Sequence, residues 1–205
     1  MIQFRHIINL HKILTPFFVL ALMHQYNNWG IGMFTYLALH GTYCLNWILK
    51  DALFADRRWK KECGFVMVLY VPVMLTGYWS SPFILVSSKS DPSFVTISFS
   101  ISLNILGNVL HYGSDCQKYF TLKGQRRLIT EGFFGIVRHP NYLGEILIYI
   151  GLCSLSMHWL PFAHLFFVSC TVLVPGMLEV EKSLSRYEEY KAYKTQTAFL
   201  IPKLL

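Results

Sequence analysis

The residues best suited to chemistry lie in one short stretch, residues 129–145, with the sequence ITEGFFGIVRHPNYLGE. Pro140 suits the first turn of a helix, where its missing N–H is not needed, so we predict that Arg138 and His139 precede a membrane helix. The free N–H groups and the positive dipole end of that helix, next to Arg138, favour an anion such as a phosphate or a carboxylate. The stretch therefore predicts an anion site at a helix entrance.

The first turns of this predicted helix carry three polar side chains. Asn141 and Glu145 are four residues apart and Tyr142 and Glu145 are three apart, so all three are predicted to share one face. Asn141 can bond an amide, while Tyr142 or Glu145 can orient a substrate or donate a proton, which makes these two the catalytic candidates. The alternative is that Arg138 serves only as an anchor at the membrane edge.

The composition indicates that a membrane protein carries these residues. Of the 205 residues, 54% are hydrophobic and only 14% are charged, and three of six apolar runs approach the ~20 residues of a bilayer-spanning helix. We predict an all-α polytopic bundle of five to six transmembrane helices, forming a single membrane domain over residues 1–205. Its N-terminal part is a four-helix unit (1–113), and its C-terminal part (114–205) carries the site. The apolar runs cover residues 13–25, 30–49, 64–86, 94–112, 146–159 and 160–178.

The basic residues fall on one side of this predicted bundle. With six crossings, the connections at residues 26–29, 87–93 and 158–161 hold one basic residue, Lys89, and every other Lys and Arg lies on the opposite face. This positive-inside pattern predicts that the basic loops and both termini face the cytoplasm or the matrix. The net charge of +7 then favours lipid headgroups or a phosphorylated cofactor as partners, and not nucleic acid.

The tail from residue 179 onward is predicted to be an amphipathic surface helix that continues from the sixth span. Tyr187, Tyr190 and Tyr193 recur every three residues and form one aromatic stripe. The stripe can also serve simply to dock the helix onto the bundle. Glu179 and Glu181 are placed where this helix leaves the membrane, so a cationic partner is expected, either an arginine of the basic face or a positively charged ligand group.

Other polar residues are interpreted as structural. Asn46 and Asn104 are expected to form interhelical hydrogen bonds, and the loop at residues 56–61 (DRRWKK) to be a solvated anchor at the headgroup level. The five cysteines are scattered and show no CxxC or Cys/His spacing. We therefore expect free thiols, with neither a disulfide framework nor a metal site.

Three segments resemble one superfamily of integral membrane enzymes, which includes the steroid 5α-reductases, the sterol C=C reductases and the isoprenylcysteine carboxyl methyltransferases. They are SDCQK at 114–118, GFFGIVRHPNYLGE at 132–145, and EKSL at 181–184 followed by YxxY at 190–193 and FLIP at 199–202. The resemblance covers the C-terminal half of the chain. It is closest to an uncharacterised reductase-like branch of the superfamily.

The resemblance implies a cofactor site whose cofactor depends on the branch. In the reductases the corresponding residues line an NADPH pocket, whereas in the methyltransferases the Arg-His-Pro motif and the downstream Glu belong to an S-adenosylmethionine site. The short chain resembles the methyltransferases in size, since reductases usually carry additional N-terminal helices. The residues assigned to the cofactor site are Asp115, Gln117, Lys118, Arg138, His139, Asn141, Tyr142, Glu145, Glu181 and Tyr190.

Three functions follow as hypotheses. The first is an NADP(H)-dependent reductase of a C=C bond in a lipid or steroid-like substrate, and the second is an S-adenosylmethionine-dependent methyltransferase of a membrane substrate. The third is a non-catalytic subunit that keeps the family fold within a larger membrane complex. Both enzymes would take an apolar substrate from the bilayer, so membrane lipids and that substrate are the expected partners, with other membrane subunits expected for the third.

Overall fold

The computed structural model describes residues 2–89 and 91–202, apart from the side chain of Arg57, and confirms the predicted all-α class. Short turns join the helices. The helices are α1 (Phe4–Gln25), α2 (Ile31–Phe54), α3 (Phe65–Thr76), α4 (Ser80–Ser88), α5 (Phe94–Gly124), α6 (Phe133–Ile136), α7 (Pro140–Leu155), α8 (Trp159–Val168), α9 (Val174–Leu184) and α10 (Tyr190–Gln196).

Among the described residues, four helical stretches are long and apolar enough to cross a membrane, as expected of a multi-pass membrane protein. Two of them are composite, because a 3₁₀ turn joins α3 to α4 and a π turn joins α8 to α9. Neither α2 nor α7 is among the four, and α7 has only 16 residues, so the predicted count of five to six is not confirmed. The four stretches are Phe4–Gln25, Phe65–Ser88, Phe94–Gly124 and Trp159–Leu184.

Two helices extend further than their apolar runs predicted. The first run was expected to begin at residue 13, but α1 begins at Phe4 and includes the buried residues His11 and Lys12. The fourth run was expected to end at residue 112, but α5 continues to Gly124. Lys12, Ser114 and Asp115 lie just beyond these apolar runs, and the folded chain keeps them in helices with buried side chains.

The centre of the bundle is α7, which packs along α5 and also contacts α2, α4 and α8. Ile148, Tyr149 and Leu152 of α7 belong to the largest hydrophobic core. The backbones of α5 and α7 approach closely where Gly107 faces Gly144, because small residues at a helix crossing leave room for backbone contact. The entrance to α7 is thereby fixed against α5.

Replacing Gly144 by alanine is expected to lower the thermal unfolding midpoint. An added Cβ would lie 2.5 Å from the carbonyl oxygen of Gly107, so α5 and α7 must separate, and overpacking of this kind typically costs about 1–3 kcal/mol. Gly41→Ala in α2 is the matched control, because nothing lies within 4 Å of its added Cβ. Thermal unfolding followed by circular dichroism in detergent compares the two, and equal midpoints would contradict the close α5–α7 contact.

The C-terminal surface helix is divided in two, since α9 ends at Leu184 and α10 begins at Tyr190. The turn between them brings Tyr190 and Tyr193 back onto the bundle, where both are buried against Leu128. Tyr187 packs on the same cluster and is partly buried. The aromatic stripe therefore docks the tail onto the bundle.

Candidate functional site

Arg138 lies at the entrance to α7, and its guanidinium group is almost completely buried, with 6% of the side chain exposed. Its Nε donates to Oε1 of Glu181 at 2.9 Å, and its Nη1 donates to the carbonyl oxygens of Thr197 at 2.6 Å and Lys194 at 3.3 Å. These bonds join the start of α7 to α9 and to the end of α10. The cationic partner expected for Glu181 is thus Arg138.

His139 and Tyr190 complete this network around Glu181. His139 Nε2 lies 3.1 Å from Oε1 of Glu181, and the Tyr190 hydroxyl donates to Oε2 at 2.5 Å. The structure therefore brings together four residues assigned to the cofactor site, Arg138, His139, Glu181 and Tyr190.

The stability of this network is expected to fall as the pH decreases from 6.5 to 4. Burial lowers the pKa of His139 from 6.5 to about 4, with further lowering by Arg138 and Arg58, although Glu181 opposes the shift. The unfolded chain therefore binds more protons than the folded chain between these two values, so acidification through this window destabilises the fold.

Thermal unfolding of His139→Gln over a pH series measures this contribution. We expect a shallower pH dependence than in the natural protein, whereas His6→Gln, a change at an exposed histidine, should keep the original dependence. Identical profiles for His139→Gln and the natural protein would show that His139 does not titrate with unfolding.

Tyr142 is held by a residue from the other half of the chain. Nη1 of Arg58, in the 3₁₀ turn Arg57–Lys60 that follows α2, donates to the Tyr142 hydroxyl at 2.7 Å. The Tyr142 ring packs in an apolar cluster with Leu173 and Met177. The hydroxyl oxygen accepts from Arg58, so its own proton remains available for another group.

Arg58 is itself fixed by Asp56. Its Nη2 lies 3.1 Å from Oδ2 of Asp56, and Lys118 Nζ approaches the same oxygen at 3.6 Å. Burial alone would raise the pKa of Asp56, but Lys118 and Arg58 outweigh that effect and lower it below its usual range, so the carboxylate is ionised. The interpretation of residues 56–61 as only a solvated anchor is therefore wrong for Asp56 and Arg58.

Asp115 forms a buried ion pair with Lys50, and the two side chains are 7% and 5% exposed. Lys50 Nζ also lies 3.4 Å from His111 Nε2, and His111 Nδ1 lies 2.9 Å from the carbonyl oxygen of Asn141. The prediction that Lys50 belongs to the basic face is wrong for its side chain, because the carboxylate of Asp115 on α5 holds it inside the bundle. Asn141 joins this chain of contacts through its backbone carbonyl.

Gln117 fixes the turn that precedes α6. Its Nε2 donates to the carbonyl oxygen of Glu131 at 2.9 Å, and its Oε1 accepts from the backbone N–H of Phe133 at 3.1 Å. Gly132, between these two residues, has a positive φ of 61°, a conformation that favours glycine. Gln117 thus has a structural role near the site, in addition to the cofactor contact that the resemblance predicts for it.

Glu145 is partly buried and lies three residues after Tyr142 in α7. The prediction that Lys12 belongs to the basic face is also wrong for its side chain, which is 2% exposed within α1. Its Nζ donates to the Tyr149 hydroxyl at 3.0 Å and lies 4.0 Å from the centre of the Tyr43 ring. Aromatic faces help to stabilise this ammonium group.

Groups that can hold a cofactor are found near the Tyr142–Arg58 pair. The side chains of Lys118 and Arg58 are 36% and 33% exposed, so each can reach a phosphate as well as its present partner. In the described part of the chain, no group of three or more His, Cys, Asp or Glu residues is arranged to hold a metal ion. The five cysteines have free thiols.

Sequence comparisons relate the chain to one protein family and to two sterol reductases. Residues 8–197 match a family described as "Protein of unknown function (DUF1295)". The chain is 26% identical over 128 residues to a Delta(14)-sterol reductase of Methylotuvimicrobium alcaliphilum, covering 51% of this chain and 29% of the relative. It is 31% identical over 65 residues to a Delta(14)-sterol reductase of Mus musculus, covering 30% of this chain and 15% of the relative.

These matches limit two of the predictions. The family match begins at residue 8, so the expectation that the resemblance is confined to the C-terminal half is not confirmed, and neither is the link to methyltransferases. The aligned part of the chain spans less than a third of the length of either reductase. With residues 8–197 matched, the chain belongs to the DUF1295 family, a steroid 5α-reductase-like membrane family with weak homology to Delta(14)-sterol reductases.

Proposed function

We propose that the protein is a membrane-embedded reductase that transfers a hydride from NADPH to a C=C bond of a lipid or steroid-like substrate. The names of the two sterol reductases to which it is similar support this reaction class. The observation that carries the proposal is the Tyr142 hydroxyl, held 2.7 Å from the Arg58 guanidinium beside an apolar cluster. Such a phenol can donate a proton to an apolar substrate.

Reduction of a C=C bond requires a hydride on one carbon and a proton on the other, and bound NADPH supplies the hydride. Tyr142 supplies the proton, and the positive charge of Arg58 stabilises the phenolate that is left behind. Leu173 and Met177 keep water away from the ring of Tyr142. Glu145, three residues after Tyr142 in α7, is the second catalytic candidate and orients the polar part of the substrate.

The residues present fit a dinucleotide better than S-adenosylmethionine. Lys118 and Arg126 have exposed or partly exposed cationic groups that can hold the phosphates of NADPH. A methyltransferase would use Arg138 for the cofactor carboxylate and Glu181 for a cationic group, but these two side chains neutralise each other at 2.9 Å. We assign Arg138, His139, Asn141, Glu181 and Tyr190 to the wall of the cofactor site, with Asp115 and Gln117 supporting it from α5.

A thermal shift assay on the purified protein in lipid nanodiscs tests the cofactor. A ligand present at 100 times its dissociation constant stabilises the fold by about 2.7 kcal/mol, so NADPH is expected to raise the unfolding midpoint and S-adenosylmethionine to leave it unchanged. Lys118→Ala should weaken the NADPH effect, whereas Lys60→Ala, at an exposed lysine, should preserve it. Consumption of NADPH with a Delta(14)-unsaturated sterol then tests the reaction.

Each alternative function gives a different result in the same assay. A shift with S-adenosylmethionine alone would overturn the reductase proposal in favour of a methyltransferase. If neither ligand shifts the midpoint, and the protein copurifies stoichiometrically with other membrane proteins, the non-catalytic subunit is the better description.

A further inference from the structure

A groove between α2 and α5 lies apart from the Tyr142–Arg58 pair. Its volume is about 470 Å³, and it is open along one side. Leu49 and Val109 on its walls are 56% and 54% exposed, and in a membrane protein such apolar side chains face the hydrocarbon. The groove therefore opens toward the bilayer.

The floor of the groove is polar. Asn46 Nδ2 donates to Oδ1 of Asn108 at 3.2 Å, and Asn108 Nδ2 donates to the carbonyl oxygen of Asn104 at 2.7 Å. Asn46 and Asn108 both line the groove and are only partly buried. Amide groups that are open to hydrocarbon are costly unless a polar partner meets them. Asn108 Nδ2 also donates to Oδ1 of Asn104 at 2.9 Å, so both of its N–H groups are used within α5. Among the described contacts, the side-chain oxygen and the second N–H of Asn46 are left to meet a bound molecule with one hydrogen-bonding group.

The charges that line the groove determine which kind of headgroup a bound lipid can have. Lys50 contributes to the lining, but it is paired with Asp115, and both side chains are buried. The floor of the groove consequently consists of the amides of Asn46 and Asn108 and of the ammonium group of Lys50, whose charge Asp115 neutralises. A carboxylate or phosphate headgroup would meet no free positive charge from Lys50, whereas a hydroxyl or a carbonyl needs none.

We infer that the groove lined by Asn46, Leu49, Lys50, Asn108, Val109 and Phe133 binds an uncharged amphiphile from the bilayer. Its apolar body lies along Leu49, Val109 and Phe133, and its single hydroxyl or carbonyl group bonds the side-chain amide of Asn46. Long-chain alcohols belong to this class. Binding in the groove does not depend on the proposed reductase activity, because the groove does not include Tyr142 or Arg58.

Photocrosslinking with a matched pair of probes tests this site. One probe is a long-chain alcohol with a diazirine in its chain, and the other is the corresponding carboxylic acid. The full-length protein is placed in phosphatidylcholine nanodiscs, irradiated with each probe, and its labelled peptides are mapped by mass spectrometry. We expect the alcohol to label the peptides of residues 46–54 and 108–113 at least fivefold more strongly than the acid does.

Two variants locate the binding within the groove. Val109→Trp fills the space without touching a hydrogen bond and is expected to reduce labelling about tenfold, and Asn46→Leu removes the polar contact and is expected to have a similar effect. Ser102→Leu, a polar-to-apolar change at an exposed position of α5, should leave labelling unchanged. Equal labelling by the acid and the alcohol would overturn the proposal, and so would full labelling of Val109→Trp by the alcohol. If Asn46→Leu does not fold, the result for Val109→Trp alone tests the site.

Discussion

Tyr142→Phe is expected to lose most of the reductase activity while keeping its fold and its affinity for NADPH. Phenylalanine preserves the ring that packs on Leu173 and Met177, but it has no hydroxyl to receive the hydrogen bond from Arg58 or to donate a proton. General acid catalysis contributes about 10²–10⁴-fold, so kcat should fall by about that factor. Single-turnover oxidation of NADPH with the substrate in excess measures the loss, and the NADPH-dependent thermal shift controls for binding.

Arg58 positions Tyr142, and a double-mutant cycle separates this role from a purely structural one. Arg58→Gln should lower kcat in the natural background and have little further effect on kcat in the Tyr142→Phe background. Arg58→Lys should recover part of the activity, and Lys60→Gln in the same 3₁₀ turn is the control. Equal losses of activity from Arg58→Gln in both backgrounds would contradict the assignment of Tyr142 as the proton donor.

The local features of the site were accessible to sequence reasoning. Pro140 and the apolar run after it predicted a helix that begins beyond Arg138 and His139, and α7 begins at Pro140. The need of Glu181 for a cation was also predictable, because a carboxylate near the membrane is costly alone. These inferences rest on neighbouring residues and on the general free-energy cost of an unpaired charge near a membrane. They therefore require no knowledge of how the helices are arranged.

The contacts between distant segments were not accessible in the same way. Arg58 reaches Tyr142 across 84 positions of the chain, and Lys50 reaches Asp115 across 65. In the sequence, Lys12 and Lys50 resemble residues of the basic face because apolar runs end at them. Only the packing of α1, α2 and α5 shows that their side chains are buried. The N-terminal half therefore contributes to the site through pairing partners, which a single sequence does not identify.

The largest loss of stability is expected from Glu181→Ala. This change leaves the guanidinium of Arg138, which is 6% exposed, without its carboxylate partner, and it removes the acceptor of the Tyr190 hydroxyl. Removing one member of a buried ion pair costs about 3–5 kcal/mol. Chemical unfolding in detergent measures the loss, and faster tryptic cleavage near Lys191 should show that the tail has been released. Glu188→Ala, at an exposed carboxylate in the same segment, is the control.

The double variant Arg138→Met with Glu181→Leu distinguishes the ion pair from the tyrosine contact. Because neither charge is then left buried and unpaired, most of the lost stability should return, although Tyr190 and His139 still lack their partner. If the double variant is as unstable as Glu181→Ala, the remaining loss comes from Tyr190 and His139, together with the carbonyl oxygens of Thr197 and Lys194 that lose their donor on Arg138. If Glu181→Ala is no less stable than Glu188→Ala, the network does not hold α10 against α7, and the wall assigned to the cofactor site must be sought elsewhere.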